Sequence, residues 1–325
     1  MNLDYILRRY DNEDTMNLIK HRWFQYLCSA FLIIYTAFMT GCAGKYEELD
    51  LSMYQYRDTK DLVKFVFDAS LILKKDGMKS LDFFRKNRQL YNTKDYYLYI
   101  YNMKGVNIYH AGMENLEGKN LCDVTDKNGK KITQLILEAL EDESNPHAWV
   151  HYSWWEPGKF YPVPKSSCHF KVKTPEGEEV FVGGGVNYPH EEQEFIRIIV
   201  DDAVRLLEEK GEDALEEIAN PISKYNYRDV RVFAYRPDGE LLISPAININ
   251  FSQTNIMDCT DEAGHKPFTK AGKELEVSDK VWEVFMARSR YQRELIKKSL
   301  YVRKADMDGG TIYVAAITDL PEPPY

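Results

Sequence analysis

The residues best suited to chemistry cluster around Lys165. The lead-in Tyr161-Pro162-Val163-Pro164 is stiff and polyproline-like, and it aims Lys165 at the start of a strand expected over Ser167–Lys173. Upstream, Ala148–Trp155 reads as a strand. Its alternation puts Tyr152 and Trp154 on one face, and Trp149, His151, Ser153 and Trp155 on the other. Tyr97, Tyr99 and Tyr101 share a face of an earlier strand by the same rule. Tyr and Trp rings beside one lysine make stacking walls and a cation for a carboxylate. A lysine head taken out of water needs a negative partner, and the only acid in this motif is Glu156, beside Pro157-Gly158. The expectation is a carboxylate ligand held by Lys165 against the aromatic wall. The plain alternative is an exposed lysine over ordinary aromatic core. His110, at the end of the next strand, is a further candidate contact, with a structural histidine as the alternative.

Other patterns fall short of a site. Asp126-Lys127-Asn128-Gly129 begins like a calcium loop but lacks a third ligand and the terminal Glu, so it reads as a turn. Gly183-Gly184-Gly185 precedes a helix, yet no Lys-Ser/Thr follows and that helix opens with Glu191-Glu192, which repels phosphate. His147-x-x-x-His151 has zinc spacing only on a helix, and Pro146 with the following Trp-Val run argues for a strand. Cys168 and His169 point to opposite faces of their strand. No nucleophile sits in a recognisable frame, so no catalytic residue, metal or cofactor is expected.

The elements that position these residues occur twice. Asp68-Ala69 returns as Asp202-Ala203, Gly77 as Gly211, Tyr101 as Tyr235 and Gly105 as Gly239, all at one constant offset. After a one-residue slip, Thr125-Asp126 returns as Thr260-Asp261, and Lys165 is paralleled by Lys298. A period this long means duplicated domains, since solenoid repeats are far shorter. In the first copy a helix over Asp61–Lys75 ends at Gly77. A hairpin follows, Tyr96–Tyr101 and Val106–His110 around Gly105, then a helix near Ile132–Glu141 and strands Ala148–Trp155, Ser167–Lys173 and Glu179–Gly184. The second copy has a helix over Glu191–Lys210 and a hairpin from Val230–Tyr235 and Glu240–Ser244. The fold class is α+β: two five-stranded antiparallel sheets, each with a long N-terminal helix. Tyr235 and Lys298 are the second copy's candidate ligand residues.

The chain has 325 residues and a net charge of −9, which gives no field to attract a phosphate backbone, so nucleic acid is not an expected partner. Lys20, His21 and Arg22 lead into an apolar run from Trp23 to Met39, followed by Thr40-Gly41-Cys42. This resembles the lipobox of bacterial lipoproteins, in which the peptide is cut before Cys and that Cys carries lipid. The alternative is a membrane-spanning helix, for which a run of about 17 residues is at the lower limit. Met16 is a second candidate start. Residues 1–41 are thus expected to be a signal peptide, Cys42 the lipid attachment, and 42–59 an anchor and linker.

The tandem pattern resembles the Cache family of extracytoplasmic, PAS-like sensor domains. The residues that carry the likeness are Tyr97-Leu98-Tyr99-Ile100-Tyr101-Asn102-Met103-Lys104-Gly105, His110, Gly118-Lys119-Asn120-Leu121, and Asp126-x-Asn128-Gly129-Lys130. Trp149-Val150-x-Tyr152-x-Trp154-x-x-Pro157, Pro164-Lys165 and Gly183–Gly185 complete it. The resemblance implies Cache domains over 60–188 and 189–320, with a tail at 321–325. It implies a binding module rather than an enzyme, holding a small organic molecule, often a short carboxylate or amino acid, between the sheet and the loops over it. Two departures matter: Cys168 stands where the family has Tyr, and the second copy lacks the Trp-rich run. The first domain is therefore the expected ligand site, lined by Tyr99, Tyr101, His110, Tyr152, Trp154 and Lys165. The whole reads as a lipid-anchored sensor on the periplasmic face of a bacterial membrane, serving a separate signalling or transport protein. A scaffold for protein contacts, with both cavities filled by side chains, is the alternative.

Overall fold

The computed structural model describes residues 49–320, apart from 94–95, 143–147, 156–159, 188–191, 229, 246–254 and 289–293. The signal sequence, Cys42, His147, Glu156 and the tail at 321–325 lie outside the described residues. Among the described residues no helix is long and apolar enough to cross a membrane.

Helix α1 (Arg57–Asp76) buries Leu62, Val63, Val66, Ala69 and Leu73 at helical spacing, and Gly77 ends it at φ 65°. Helix α2 (Ser80–Lys86) follows, then β1 (Tyr96–Asn102), β2 (Asn107–His110), α3 (Ile132–Ala139), β3 (Ala148–Trp155), β4 (Pro162–Lys173) and β5 (Glu179–Asn187). The sheet runs β2-β1-β5-β4-β3, with every neighbouring pair antiparallel. The chain continues into α4 (Glu192–Lys210), α5 (Ala214–Ala219), a small ribbon of β6 (Asn226–Tyr227) and β7 (Val230–Arg231), β8 (Phe233–Tyr235), β9 (Leu241–Ile243), α6 (Pro267–Glu274), β10 (Lys280–Arg288), β11 (Leu295–Met307) and β12 (Gly310–Asp319). The second sheet, β9-β8-β12-β11-β10, has the connectivity of the first. The turns at Gly105 and Gly239 close equivalent hairpins, both at positive φ.

Three expected elements differ. Strand β4 begins at Pro162, so Lys165 lies within the strand instead of ahead of it. Among the described residues the β4–β5 ladder starts at Lys165–Asn187, and the prolines are flanked by β3. Strand β5 runs on through Gly185 to Asn187, past the end expected at Gly184. The strand expected over Val230–Tyr235 is divided: Val230–Arg231 pairs with β6, and only Phe233–Tyr235 joins the sheet.

Helix α1 packs on the face of the first sheet that carries β4 and β5 residues such as Gly184. A Cβ at Gly184 would sit 2.6 Å from Val66, so glycine sets this close approach. Helix α3 contributes to the opposite, tyrosine-bearing side. The outer edge of β3 is clamped. Asp126 takes the Ser153 N–H at 3.1 Å as well as the N–H groups of Asn128 and Lys130 in its own turn. Buried Lys130 donates to the His151 carbonyl at 2.7 Å and to the Asn226 carbonyl at 2.9 Å. Asp261 repeats the first clamp on β10, accepting from Ala263, His265 and Met286 N–H groups.

Candidate ligand-binding site

Strand alternation brings the expected aromatics together. Tyr97, Tyr99 and Tyr101 of β1 lie opposite Gly185, Gly183 and Phe181 of β5, while Lys165, Ser167 and His169 of β4 lie opposite Asn187, Gly185 and Gly183. Tyr152 of β3 lies opposite Lys165. Tyr99, Tyr101, His110, Tyr152 and Trp154 line one cavity with Tyr97, and α3 closes it with Ile132, Thr133 and Ile136. Its free volume is about 20 Å³, room for one water molecule. A roomy cavity lined by Lys165 is not what the fold provides: side chains fill most of the space, and Lys165 sits behind the Tyr97 ring.

Lys165 is 2% exposed. Its Nζ lies 3.4 Å from the centroid of the Tyr97 ring and 5.7 Å from that of Tyr99. Among the described residues Nζ has no hydrogen-bond partner. Burial without a counter-charge pulls its pKa well below the ordinary lysine value. The stem lies against Gly185, where a Cβ would stand 2.5 Å from Lys165 Cε and 2.8 Å from the Ser166 carbonyl oxygen. At Gly183 a Cβ would collide with the Tyr99 ring and with His169. The glycine triplet is thus the floor that makes room for a buried lysine, a tyrosine and a histidine.

Around the lysine runs a neutral polar network. His169 Nδ1 faces the Ala148 carbonyl at 3.2 Å and so carries the proton, which leaves Nε2 to accept from the Tyr99 hydroxyl at 2.9 Å. Ser167 Oγ lies 3.3 Å from both the Tyr152 hydroxyl and His169 Nε2. Burial first, opposed by the hydrogen bond to the Ala148 carbonyl and aided by nearby Lys165, pushes His169 down to about 3. His110 also falls to about 3, through burial first, then Lys165 and Arg88. Its Nδ1 accepts the N–H groups of Gly112 and Met113 at 3.2 and 2.9 Å, so its proton is on Nε2. His110 is therefore both a structural histidine and part of the lining. Burial raises Tyr99, Tyr101 and Tyr152 above the ordinary tyrosine value, so their hydroxyls stay protonated donors.

The second sheet closes the equivalent place. Lys298, 1% exposed, forms an ion pair with Asp319, the residue directly across β12. Tyr235 is fully buried against Phe268 and Tyr313, with ring centroids 6.0 and 5.5 Å away. Cys168 is buried, and its thiol is pushed up by burial; Cys122, Cys168 and Cys259 are free. Among the described residues no cluster of His, Cys, Asp or Glu is placed to hold a metal ion.

The family model described as Cache domain matches residues 78–306. The chain belongs to the Cache domain family. Among solved structures, a methyl-accepting chemotaxis protein from Vibrio parahaemolyticus is 22% identical, covering 40% of this chain and 88% of that one, with a TM-score of 0.33. A Cache chemosensory domain described for carboxylic acid recognition is 22% identical over 42% of this chain and 100% of that one, TM-score 0.34. An amino-acid chemoreceptor ligand-binding domain of Pseudomonas aeruginosa, in complex with L-Arg, is 10% identical over 80% and 87%, TM-score 0.30. Comparison with curated proteins gives no match.

Several features of this candidate site lie beyond the sequence reading. Tyr97, read as part of the aromatic wall, covers the lysine, and Ser167 and His169 extend the row of Lys165 along β4; counting by twos from Lys165 finds these two. Gly183 and Gly185 are legible as a close approach of side chains rather than of phosphate. Asn187, the residue across from Lys165, is set by register and leaves no local trace.

Proposed function

We propose that this Cache protein is an exported, N-terminally lipidated sensor whose first sheet binds a small carboxylate at Lys165 and serves a separate signalling or transport protein. The observation that carries the ligand reading is the Lys165 ammonium, buried and unpartnered among the described residues beneath the Tyr97 ring. A buried cation of this kind is costly unless an anion meets it, and a carboxylate supplies the charge. The Tyr152 hydroxyl and the Nε2–H of His110 offer neutral donors for its oxygens, and Tyr101 and Trp154 offer walls for a short organic tail. With only about 20 Å³ free, the ligand enters by displacing the Tyr97 ring from Nζ. The lipid anchor rests on Gly41-Cys42 after the basic-apolar lead.

The same small volume favours a second reading, in which the filled sheet only scaffolds contacts with another protein. A thermal-shift screen of the purified protein with short carboxylates, amino acids and amines separates the two. A ligand at 100 times its Kd adds about 2.7 kcal/mol of stability. Lys165→Ala and Lys165→Met each remove about 2–5 kcal/mol of carboxylate binding in titration calorimetry. Stabilisation by no carboxylate leaves the scaffold reading standing.

A further inference from the structure

Trp155, Phe160 and Tyr161 gather at one end of the first sheet, where the β3–β4 ladder finishes at Trp155–Pro162. They are 52%, 97% and 58% exposed. Strand alternation turns Trp155 away from the wall of Tyr152 and Trp154, so it takes no part in the ligand cavity. On its own face of β3, Trp149, His151 and Ser153 are buried, and exposure begins at Trp155. The same end of the sheet receives the chain from its N-terminus. Helix α1 runs away from this end: Leu62 and Val66 lie over Gly184, Phe67 meets Phe170 with ring centroids 5.5 Å apart, and Gly77 closes the helix beside Glu176, between β4 and β5. Just ahead of α1, the Gln55 N–H bonds to Glu194 at 2.6 Å, at the start of the helix that follows β5. The last residue of β5, Asn187, stands opposite Lys165, and Lys165 opposite Tyr152. From Tyr152 to Trp155 is about 10 Å of strand. The chain between Cys42 and Leu49, the first described residue, spans about 25 Å when extended.

We infer that Trp155, Phe160 and Tyr161 dip into the lipid bilayer that holds the N-terminal anchor, giving the protein a second membrane contact. The inference rests on the lipid-anchor reading proposed above. Exposed apolar rings grouped in this way mark a contact surface, and two observations choose lipid over a protein partner. The first is placement: the chain leaves for Cys42 from the end of the sheet that carries the rings, on a tether short enough to keep that end close to the bilayer. The second is composition. Trp and Tyr settle at the level of the lipid headgroups, and Phe reaches the acyl chains below them. With a net charge of −9 the chain gains nothing from anionic headgroups, so a membrane contact has to be apolar. Neighbouring residues of β3 then serve two surroundings, Trp154 the ligand cavity and Trp155 the bilayer.

The test reconstitutes the full chain, purified from bacterial membranes, in vesicles of phosphatidylethanolamine and phosphatidylglycerol whose acyl chains carry bromine, a contact quencher of Trp emission. Bromination is expected to quench part of the emission. Trp155→Phe removes that part, Trp282→Phe keeps it, and Phe160→Asp abolishes it. Trp155 and Phe160 are exposed, so these variants keep the native circular dichroism. High salt leaves the quenching in place, because the contact is apolar. Flotation of the vesicles reads the anchor separately. A chain that does not float fails the anchoring reading and this proposal with it. A chain that floats with Trp155 unquenched overturns this proposal alone, the rings then facing water or a protein. Quenching that Trp155→Phe or Phe160→Asp leaves intact also overturns it.

Discussion

Lys165 and Lys298 occupy the same place in two sheets of the same connectivity, and each is buried, yet among the described residues only Lys298 meets a counter-charge. Across β12 from Lys298 stands Asp319; across β5 from Lys165 stands Asn187. One strand neighbour, acid or amide, separates a closed electrostatic pair from a lysine without a charged partner among the described residues. The same division runs through the aromatics. Tyr235 packs into a solid cluster with Phe268 and Tyr313, whereas Tyr99 and Tyr152 belong to a hydrogen-bonded network beside a small cavity. Two sheets of the same connectivity thus carry the buried lysine twice and, among the described residues, its acidic partner once.

The largest effect expected from breaking this contrast is on stability of the second sheet. Asp319→Asn leaves Lys298 buried without its partner and costs about 3 kcal/mol, read from urea unfolding. An unchanged midpoint means that the pair is spent on solvation alone. Asn187→Asp transplants the second sheet's device into the first. It pairs Lys165 internally and weakens carboxylate binding by about 2 kcal/mol or more, seen by calorimetry; undiminished affinity breaks the equivalence of the two positions. Gly185→Ala sets a Cβ against Lys165 Cε and the Ser166 carbonyl, costing about 1–3 kcal/mol of stability. Gly264→Ala, where no atom lies within 4 Å but φ is +83°, gives by contrast the cost of backbone strain without a steric contact.

The pH dependence sharpens the comparison further. Lys165 binds its proton less tightly folded than unfolded, so below the unfolded value of about 10.4 the unfolded chain holds more protons and stability rises with pH. His110 and His169, held down to about 3, act in the same sense: stability is complete above the unfolded value of about 6.5 and is lost as pH falls toward 3. Lys165→Met flattens the alkaline part of this profile. A bound carboxylate raises Lys165 again, so binding takes up a proton, measured as a dependence of calorimetric heat on the buffer's ionisation enthalpy. The smallest effect is on location. Cys42→Ser leaves folding untouched and yields an unprocessed or released protein; mass spectrometry of an intact, unlipidated N-terminus from the native host removes the anchor.

Much of the fold was legible because its periodicities are local. The Tyr97-Tyr99-Tyr101 alternation placed a wall on one face, and the paired Gly77/Gly211 and Gly105/Gly239 marked where helices and hairpins end. The start of β4 was misjudged because Pro162 and Pro164 normally argue against a strand, and among the described residues the β5 ladder begins only after them. The site was half legible. Spacing named Tyr99, Tyr101, His110, Tyr152, Trp154 and Lys165, and the structure brings them onto one side of one sheet. The Tyr97 lid over Nζ, the small free volume and the Asn187/Asp319 difference depend on packing and cross-strand register, which no single stretch of sequence encodes.

The clamps on the outermost strands have a consequence for life at high protein concentration. A bare sheet edge is a template on which a neighbouring chain can add a strand, and such growth leads to aggregates. On β3 the Ser153 N–H is bonded to Asp126 and the His151 carbonyl to Lys130, and on β10 the Met286 N–H is bonded to Asp261. Each edge is occupied from within at those points, by a charged group that an approaching strand would have to displace.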